Sequence, residues 1–188
     1  MEFTTVKKLM VPRQEYVTLP DSSTLYEAVV ALENHEKESG RQRLHTTIIV
    51  VNQSDQAVSR LSIFDFMRGI EPKYNEISSI NLNHFGFSND YLESIFKKSG
   101  LWAEPLEKLC AKAVHIKIKE IMLDLSPSET IHISDSLNKA LHKMILNKHE
   151  SLLVMDDRDK FAGMIRSIDL FKLIREQIRE CNYEKSQE

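Results

Sequence analysis

Two short stretches, VKKLM at residues 6–10 and IKEIM at residues 118–122, decide the fold of this chain because they follow one pattern. Each begins with an apolar residue, has leucine or isoleucine in fourth place and ends in methionine. A second matched pair, LYEA at 25–28 and LNKA at 137–140, follows each methionine at the same distance. Both pairs are separated by 112 residues. Such repetition indicates two structurally similar copies of one unit.

The correspondence continues towards the end of each copy. IIVVN at 48–52 matches LLVMD at 152–156, and FDF at 64–66 matches IDL at 168–170, now at a separation of 104 residues. The difference places an insertion of 8 residues in the first copy, around 37–44. Two copies predict two similar units related by a pseudo-two-fold axis, with a cleft between them.

Each copy shows the order strand, helix, strand, strand, helix, which predicts an α/β fold. In the first copy, Thr24 and Glu27 have the spacing of a capping box at a helix start. The β-branched run 46–51 and the segment 57–61 predict two strands joined by a polar turn. A short helix over 63–68, ending at Gly69, completes the copy.

The second copy repeats this order, with Ser136 or Asp135 capping its first helix, strands over 151–155 and 161–165, and a last helix. Apolar residues at helical spacing are expected to be buried. These are Leu25, Ala28, Val29 and Leu32 in the first copy, and Leu137, Ala140, Leu141, Met144, Ile145, Leu170, Phe171, Leu173, Ile174 and Ile178 in the second.

The segment between the copies has its own helical pattern. One amphipathic helix is expected after Ser88 or Asn89, and a second opens at Pro105, a residue favoured in the first helical turn. The predicted organisation is a first unit at 1–70, a helical linker at 71–113, a second unit at 114–181 and a polar tail at 182–188.

Composition excludes several classes of protein. The chain has 188 residues, a net charge of −3 and a pI near 6.2, which argue against binding to a nucleic-acid backbone. No apolar run approaches the roughly 18 residues of a membrane span. The first residues lack the apolar core of a signal peptide, so a cytoplasmic location without membrane association is expected.

No motif of catalysis is present. The seven histidines form neither H-x-H nor H-E-x-x-H, so no metal site is expected. The five glycines form no G-x-G pattern or phosphate loop. No nucleophile stands in a G-x-S-x-G context. The sequence therefore predicts a protein that is not an enzyme, with no catalytic residue and no required cofactor.

The repeated element order and its opening pattern resemble the CBS domain, and two in tandem resemble a Bateman module. The resemblance covers Val6 to Arg68 and Val114 to Gln177. The arrangement of the whole chain is also similar to stand-alone bacterial CBS proteins with a helical insert. It implies a regulatory module that binds an adenosyl ligand such as AMP, ADP, ATP or S-adenosylmethionine. It also implies a flat homodimer and an effector protein whose identity is unknown.

The family's nucleotide signature lies at the last strand-to-helix turn. It reads glycine, two apolar residues, serine or threonine, two residues and aspartate. The first copy reads SRLSIFD at 59–65, keeping Ser62 and Asp65 but lacking the glycine. The second copy reads GMIRSID at 163–169, keeping the glycine and Asp169, while Arg166 replaces the hydroxyl residue.

These residue types suit a nucleotide. An aspartate carboxylate accepts both hydroxyl donors of a ribose diol, and a serine hydroxyl suits a phosphate. Arg60, Arg68 or Arg166 can pair with that phosphate through two hydrogen bonds. A structural interpretation stays open beside this one. Ser62 with Asp65 also fits a helix cap, and Asp169 in a first helical turn is favoured by the helix dipole.

Two functions therefore remain. The first is a regulatory, ligand-sensing module that binds an adenine nucleotide or other adenosyl ligand in the cleft between its units, through Ser62, Asp65, Arg166 and Asp169. The second is a structural or protein-interaction module whose nucleotide pockets have degenerated, which the incomplete signatures favour.

Overall fold

The computed structural model describes residues 4–39, 47–74, 93–94, 97–101 and 103–185. Strands and helices alternate, which confirms the α/β class. The strands are β1 (Val11–Pro12), β2 (Val17–Pro20), β3 (Ile48–Val51), β4 (Ala57–Leu61), β5 (Thr130–His132), β6 (Ser151–Met155) and β7 (Phe161–Arg166). The helices are α1 (Leu25–Ser39), α2 (Ile63–Ile70), α3 (Leu106–Ala113), α4 (Ile118–Ile121), α5 (Leu137–Asn147) and α6 (Ser167–Lys185).

The chain divides by its internal contacts into two compact units. The C-terminal unit comprises Met1–Tyr16, Val51–Val58 and Asp124–Glu188, and the N-terminal unit comprises Val17–Val50 and Ser59–Leu123. The units therefore do not follow the order of the chain, since the first residues group with the second copy. The boundaries predicted from the repeat remain predictions about the sequence copies.

The C-terminal unit is built on a four-stranded sheet in the order β1-β7-β6-β5. β5 and β6 run parallel, and α5 connects them, as a parallel pair requires a crossover. β7 is antiparallel to both β6 and β1. The buried core beneath the sheet combines both ends of the chain: Val6, Ile131, Leu137, Ala140, Met144, Leu152, Val154, Ile165 and Leu170.

A second sheet has three strands in the order β2-β3-β4, and β2, most of β3 and the end of β4 belong to the N-terminal unit. All four residues of β3 are buried, in agreement with the apolar run that predicted this strand. Further buried residues come from α1, α2, α3 and α4: Leu25, Ala28, Gly69, Leu109, Ala113, Ile118 and Ile121.

Each opening segment packs against the helix start of the other copy. The Val6 N–H donates to the Asp135 carbonyl at 2.8 Å, within the C-terminal unit. Within the N-terminal unit, the Ile118 N–H donates to the Ser23 carbonyl, also at 2.8 Å. The four residues are related by the same 112-residue separation that the sequence shows. The two copies therefore form equivalent hydrogen bonds at equivalent residues.

Several side chains predicted to be buried are exposed. Val29 is 43% exposed, and Ile145, Phe171 and Ile178 are each more than half exposed. In every case the apolar stripe of the helix is wider than the surface that covers it. The burial prediction is therefore wrong at these four positions, whereas Leu25, Ala28, Leu137, Ala140, Met144 and Leu170 are buried as expected.

Two predicted helix ends are also wrong. α2 passes through Gly69 and ends at Ile70, and an added Cβ at Gly69 would lie 3.0 Å from Leu25 Cδ1 and 3.1 Å from Ile121 Cδ1. Close packing between helices, rather than termination, explains this glycine. α6 continues to Lys185, beyond the expected start of the polar tail. Of the helix predicted after Ser88 or Asn89, residues 93–94 and 97–99 are described and are helical, and the others lie outside the described residues.

Candidate functional site

In the first copy, the strand-to-helix turn forms a complete capping box. Ser62 is the residue before α2, and its Oγ accepts a hydrogen bond from the Asp65 N–H at 3.4 Å. The carboxylate returns the interaction, because Asp65 Oδ2 accepts from the Ser62 N–H at 2.8 Å and from the Ser62 hydroxyl at 2.7 Å. The capping interpretation of this pair is therefore observed.

The second oxygen of Asp65 also has a partner. Arg68, one turn further along α2, pairs with Asp65 Oδ1 and donates to the Ile121 carbonyl at 3.3 Å. The Asp65 side chain is only 15% exposed. A ribose that approached this carboxylate would therefore exchange hydrogen bonds with Ser62 or Arg68 rather than meet free oxygens.

In the second copy, Arg166 takes the position of the missing hydroxyl and binds the aspartate directly. Its Nε donates to Asp169 Oδ2 at 2.5 Å, and its Nη2 donates to Asp169 Oδ1 at 2.9 Å. Lys172 adds a longer contact to the same Oδ1, at 3.4 Å. Strand β7 ends at Arg166 and α6 begins one residue later, so the strand-to-helix turn itself holds the pair.

The surroundings of this pair keep Asp169 ionised. Burial raises the pKa of Asp169, but hydrogen bonds and charges from Arg166 and Lys172 outweigh burial and lower it below its ordinary value. The hydrogen bonds to Asp169 raise the pKa of Arg166. Burial raises the pKa of nearby Tyr16 to about 12, so its phenol is neutral at physiological pH.

The glycine position of the signature differs between the copies for a reason visible in the packing. At Gly163, an added Cβ would lie 2.3 Å from the Val11 carbonyl oxygen, because β1 approaches β7 closely there. The first copy has Ser59 at this position, and its buried Oγ donates to the Leu123 carbonyl at 2.5 Å. Val11 and Leu123 are themselves equivalent in the repeat, so the serine replaces a close backbone approach by a hydrogen bond.

The structure thus brings together Ser62 with Asp65, and Arg166 with Asp169, each pair within its own unit. The sequence predicted the cap between Ser62 and Asp65, but it did not predict that Arg166 binds Asp169 or that each carboxylate also pairs with a basic residue one turn later. The signal was present, because Arg68 and Lys172 each follow an aspartate at helical spacing of three residues. The contact between Ser59 and Leu123 joins distant segments and has no local signal.

Other kinds of site find no support among the described residues. Within them, no group of three or more histidine, cysteine, aspartate or glutamate side chains is arranged to hold a metal ion. No helix in the same part of the chain is both long and apolar enough to cross a membrane.

Comparison with protein families gives one match. The model of the CBS domain family matches residues 118–176, which run from α4 to the middle of α6. No curated protein matches the sequence.

Solved structures match over nearly the whole chain. A CBS domain-containing protein of unknown function from Bacillus anthracis str. Ames Ancestor is 16% identical, with a TM-score of 0.63 over 93% of this chain and 95% of its own. The structure of CBSX2, a CBS-pair protein from Arabidopsis thaliana, was solved in complex with AMP. CBSX2 is 18% identical to this chain, and the two superpose with a TM-score of 0.55 over 92% of this chain and 97% of CBSX2.

The cytosolic domain of the Mg²⁺ channel MgtE, solved in complex with ATP, is 15% identical, with a TM-score of 0.57 over 90% of this chain and 48% of its own. At these identities the structures establish the fold alone. Residues 118–176 therefore form a CBS domain, and the chain as a whole has the fold of tandem CBS-domain proteins.

Proposed function

We propose that this protein is a regulatory module that binds an adenine nucleotide or another adenosyl ligand through one or both of its aspartate sites. One observation carries the proposal: in a CBS fold, Asp65 and Asp169 occupy equivalent first-turn positions of α2 and α6, as largely buried, hydrogen-bonded carboxylates. AMP and ATP in complexes of similar fold support this ligand class. The predicted pseudo-two-fold axis and cleft between the copies remain predictions.

The first copy is the better candidate for a ribose. Ser62 supplies a hydroxyl next to Asp65, and one carboxylate oxygen of Asp65 binds only local groups of the cap. Rotation of the Ser62 hydroxyl away from the carboxylate leaves the backbone part of the capping box intact. A ligand diol can then take its place with little rearrangement.

A second function, a protein-interaction module with degenerate pockets, is favoured by a specific observation. Both carboxylates are already occupied by side chains of their own copy, and neither signature is complete. Exposed apolar residues offer contact surface on the same helices. Phe64 is 78% exposed and Met67 47% on α2, and Ile168 and Phe171 are at least half exposed on α6.

We also propose that the protein is a homodimer through these helix faces, which stay exposed in the single chain. Light scattering at tens of micromolar is expected to give twice the chain mass of 21.8 kDa. Phe64→Glu is expected to reduce that mass, whereas a change at the polar, exposed residue Arg175 is not. A single-chain mass for the unmodified protein would reject the dimer.

Ligand binding is tested by thermal unfolding with AMP, ADP, ATP and S-adenosylmethionine. A ligand that binds the native state alone adds roughly 2.7 kcal/mol at 100 times its dissociation constant. For a chain of this size, this corresponds to a rise of about 5–10 °C in Tm. Asp65→Ala or Asp169→Ala should reduce the rise, whereas Asp157→Ala, at a 91% exposed side chain, should not.

The result separates the two functions. No shift with any of these ligands at millimolar concentration would reject ligand sensing and leave the interaction module. A shift that survives both aspartate changes would keep ligand binding but place it elsewhere. The proposed module catalyses no reaction and acts on an effector protein whose identity is unknown. We place it in the cytoplasm, where adenine nucleotides are abundant.

A further inference from the structure

The arginine that replaces the signature hydroxyl changes what the second copy can bind. Arg166 uses two donors on both oxygens of Asp169, at 2.5 and 2.9 Å. The carboxylate is 12% exposed and the arginine 29%, so water competes weakly for the pair. This bidentate arrangement is the strongest kind of side-chain ion pair. The edge of Asp169 that binds Arg166 is therefore closed to a ligand as long as the pair stays in place.

A ribose diol competes with Arg166 for one edge of Asp169. Each carboxylate oxygen has two lone pairs, and the guanidinium takes one on each oxygen. A diol that donates one hydroxyl to each oxygen, side by side, binds the same edge and must therefore displace Arg166 from at least one oxygen. The displaced, partly buried guanidinium loses its charged acceptor, which is unfavourable unless the ligand provides another.

The charge around Asp169 decides which ligand can provide it. Two cations, Arg166 and Lys172, form ion pairs with this one carboxylate. Tyr16 lies close to the pair but stays neutral. These three paired side chains together carry one net positive charge. A phosphate group can accept from Arg166 through two parallel hydrogen bonds, whereas an uncharged nucleoside cannot, and a sulfonium ligand adds a further positive charge.

The first copy has no equivalent arrangement. There the hydroxyl of Ser62 shares Asp65 with Arg68, and Arg68 extends to the Ile121 carbonyl. A diol can replace the neutral hydroxyl and leave the arginine paired. A ligand therefore needs no phosphate to open the first site.

We infer that Arg166 is an anion-dependent latch on Asp169, so that the second copy accepts adenosyl ligands that carry a phosphate and rejects adenosine and S-adenosylmethionine. This inference rests on the proposed function, and it assigns the ligand class of one of the two sites. A phosphate draws Arg166 away from Asp169, and the released carboxylate then binds the ribose. Arg166 acts as a positioning and specificity residue.

Isothermal titration with AMP, adenosine and S-adenosylmethionine tests the latch in four proteins that all carry Asp65→Ala, which removes the first site. These are Asp65→Ala alone and Asp65→Ala combined with Arg166→Gln, Arg166→Lys or Arg175→Gln. The Asp65→Ala protein is expected to bind AMP at least about tenfold more tightly than adenosine. Arg166→Gln is expected to reduce that ratio about tenfold, a change of about 1.4 kcal/mol. Arg175→Gln, at an exposed arginine further along α6, is expected to leave the ratio unchanged.

Arg166→Lys serves if the glutamine variant does not fold. Lysine keeps the charge for a phosphate but gives up the bidentate pair. It is expected to strengthen adenosine binding several-fold while AMP binding stays within about threefold. A loss of AMP preference in the Arg175→Gln control, or no loss in either variant at Arg166, overturns the latch.

The failure of the latch and the failure of the proposed function give different results. Equal binding of AMP and adenosine to the Asp65→Ala protein, tightest binding of S-adenosylmethionine to it, or ligand binding by the unmodified chain alone overturns the latch and keeps ligand sensing. No heat and no binding with any of the three compounds, in these four proteins and in the unmodified chain, overturns both.

Discussion

Replacement of Gly163 by alanine is expected to destabilise the C-terminal unit strongly. The added Cβ would lie 2.3 Å from the Val11 carbonyl oxygen and 3.1 Å from Pro12 Cα, and both are backbone atoms of β1. β1 has little freedom to move away. The segment before it is held by the hydrogen bond from Val6 to Asp135, and Val6 itself is fully buried in the core.

The size of the effect follows from overpacking. Extra methyl groups in packed interiors typically cost about 1–3 kcal/mol. The obstacle here is backbone rather than the end of a flexible side chain, so the upper part of that range, about 2–3 kcal/mol, is expected. For a chain of this length, each kcal/mol lowers Tm by about 2–4 °C, which gives a fall of roughly 4–12 °C.

Scanning calorimetry of Gly163→Ala and of a matched control, Gly69→Ala, measures this effect. At Gly69 the methyl group meets the side-chain ends of Leu25 and Ile121 at 3.0 and 3.1 Å, and these can rotate away. Alanine is also favoured over glycine inside a helix by about 1 kcal/mol. The control should stay within a few degrees of the unmodified chain. A Gly163→Ala protein that melts within about 1 °C of it, or a control that falls as far, would refute the packing argument.

Three further predictions concern single contacts. Ser59→Ala should lower the free energy of unfolding by about 0.5–1.5 kcal/mol in urea titrations, because the hydrogen bond from the buried Ser59 hydroxyl to the Leu123 carbonyl is lost; an unchanged midpoint would contradict this. Ser136→Ala should cost about 1 kcal/mol in the same assay, because α5 loses its cap; a gain in stability would contradict it. Arg13 lowers the pKa of Asp55 to about 2, below its unfolded value. This pair therefore contributes its full stabilisation of the folded protein above about pH 4, and the contribution decreases as the pH falls towards 2. The stability gap between the unmodified chain and Arg13→Gln should therefore narrow over that range, and a constant gap would argue against the ion pair.

Local signals predicted much of the fold correctly. The capping box of Thr24 and Glu27 forms as expected, with the Thr24 N–H donating to Glu27 at 2.7 Å and the Glu27 N–H to the Thr24 hydroxyl at 3.2 Å. Ser136 caps α5 through the Lys139 N–H. These interactions join residues three apart, so they depend on neighbours that the sequence shows directly.

Burial on the outer side of the helices was less predictable. Val29 and Ile145 lie at the helical spacing of their buried neighbours, yet they are exposed. Periodicity gives the direction of an apolar stripe but not the width of the surface that covers it. That width depends on which sheet or helix packs alongside, and this is a property of the assembled chain.

The sequence by itself determined the repeat, the order of strands and helices, and the positions of Ser62, Asp65, Arg166 and Asp169 at two equivalent turns. Only the tertiary structure decided the partners of these groups. The opening segment of each copy packs with the other copy. Ser59 donates a hydrogen bond to the Leu123 carbonyl, whereas the lack of a side chain at Gly163 allows the Val11 backbone to approach closely. Such contacts join residues more than 60 positions apart. The local sequence around a residue does not determine which distant segment of backbone packs against it.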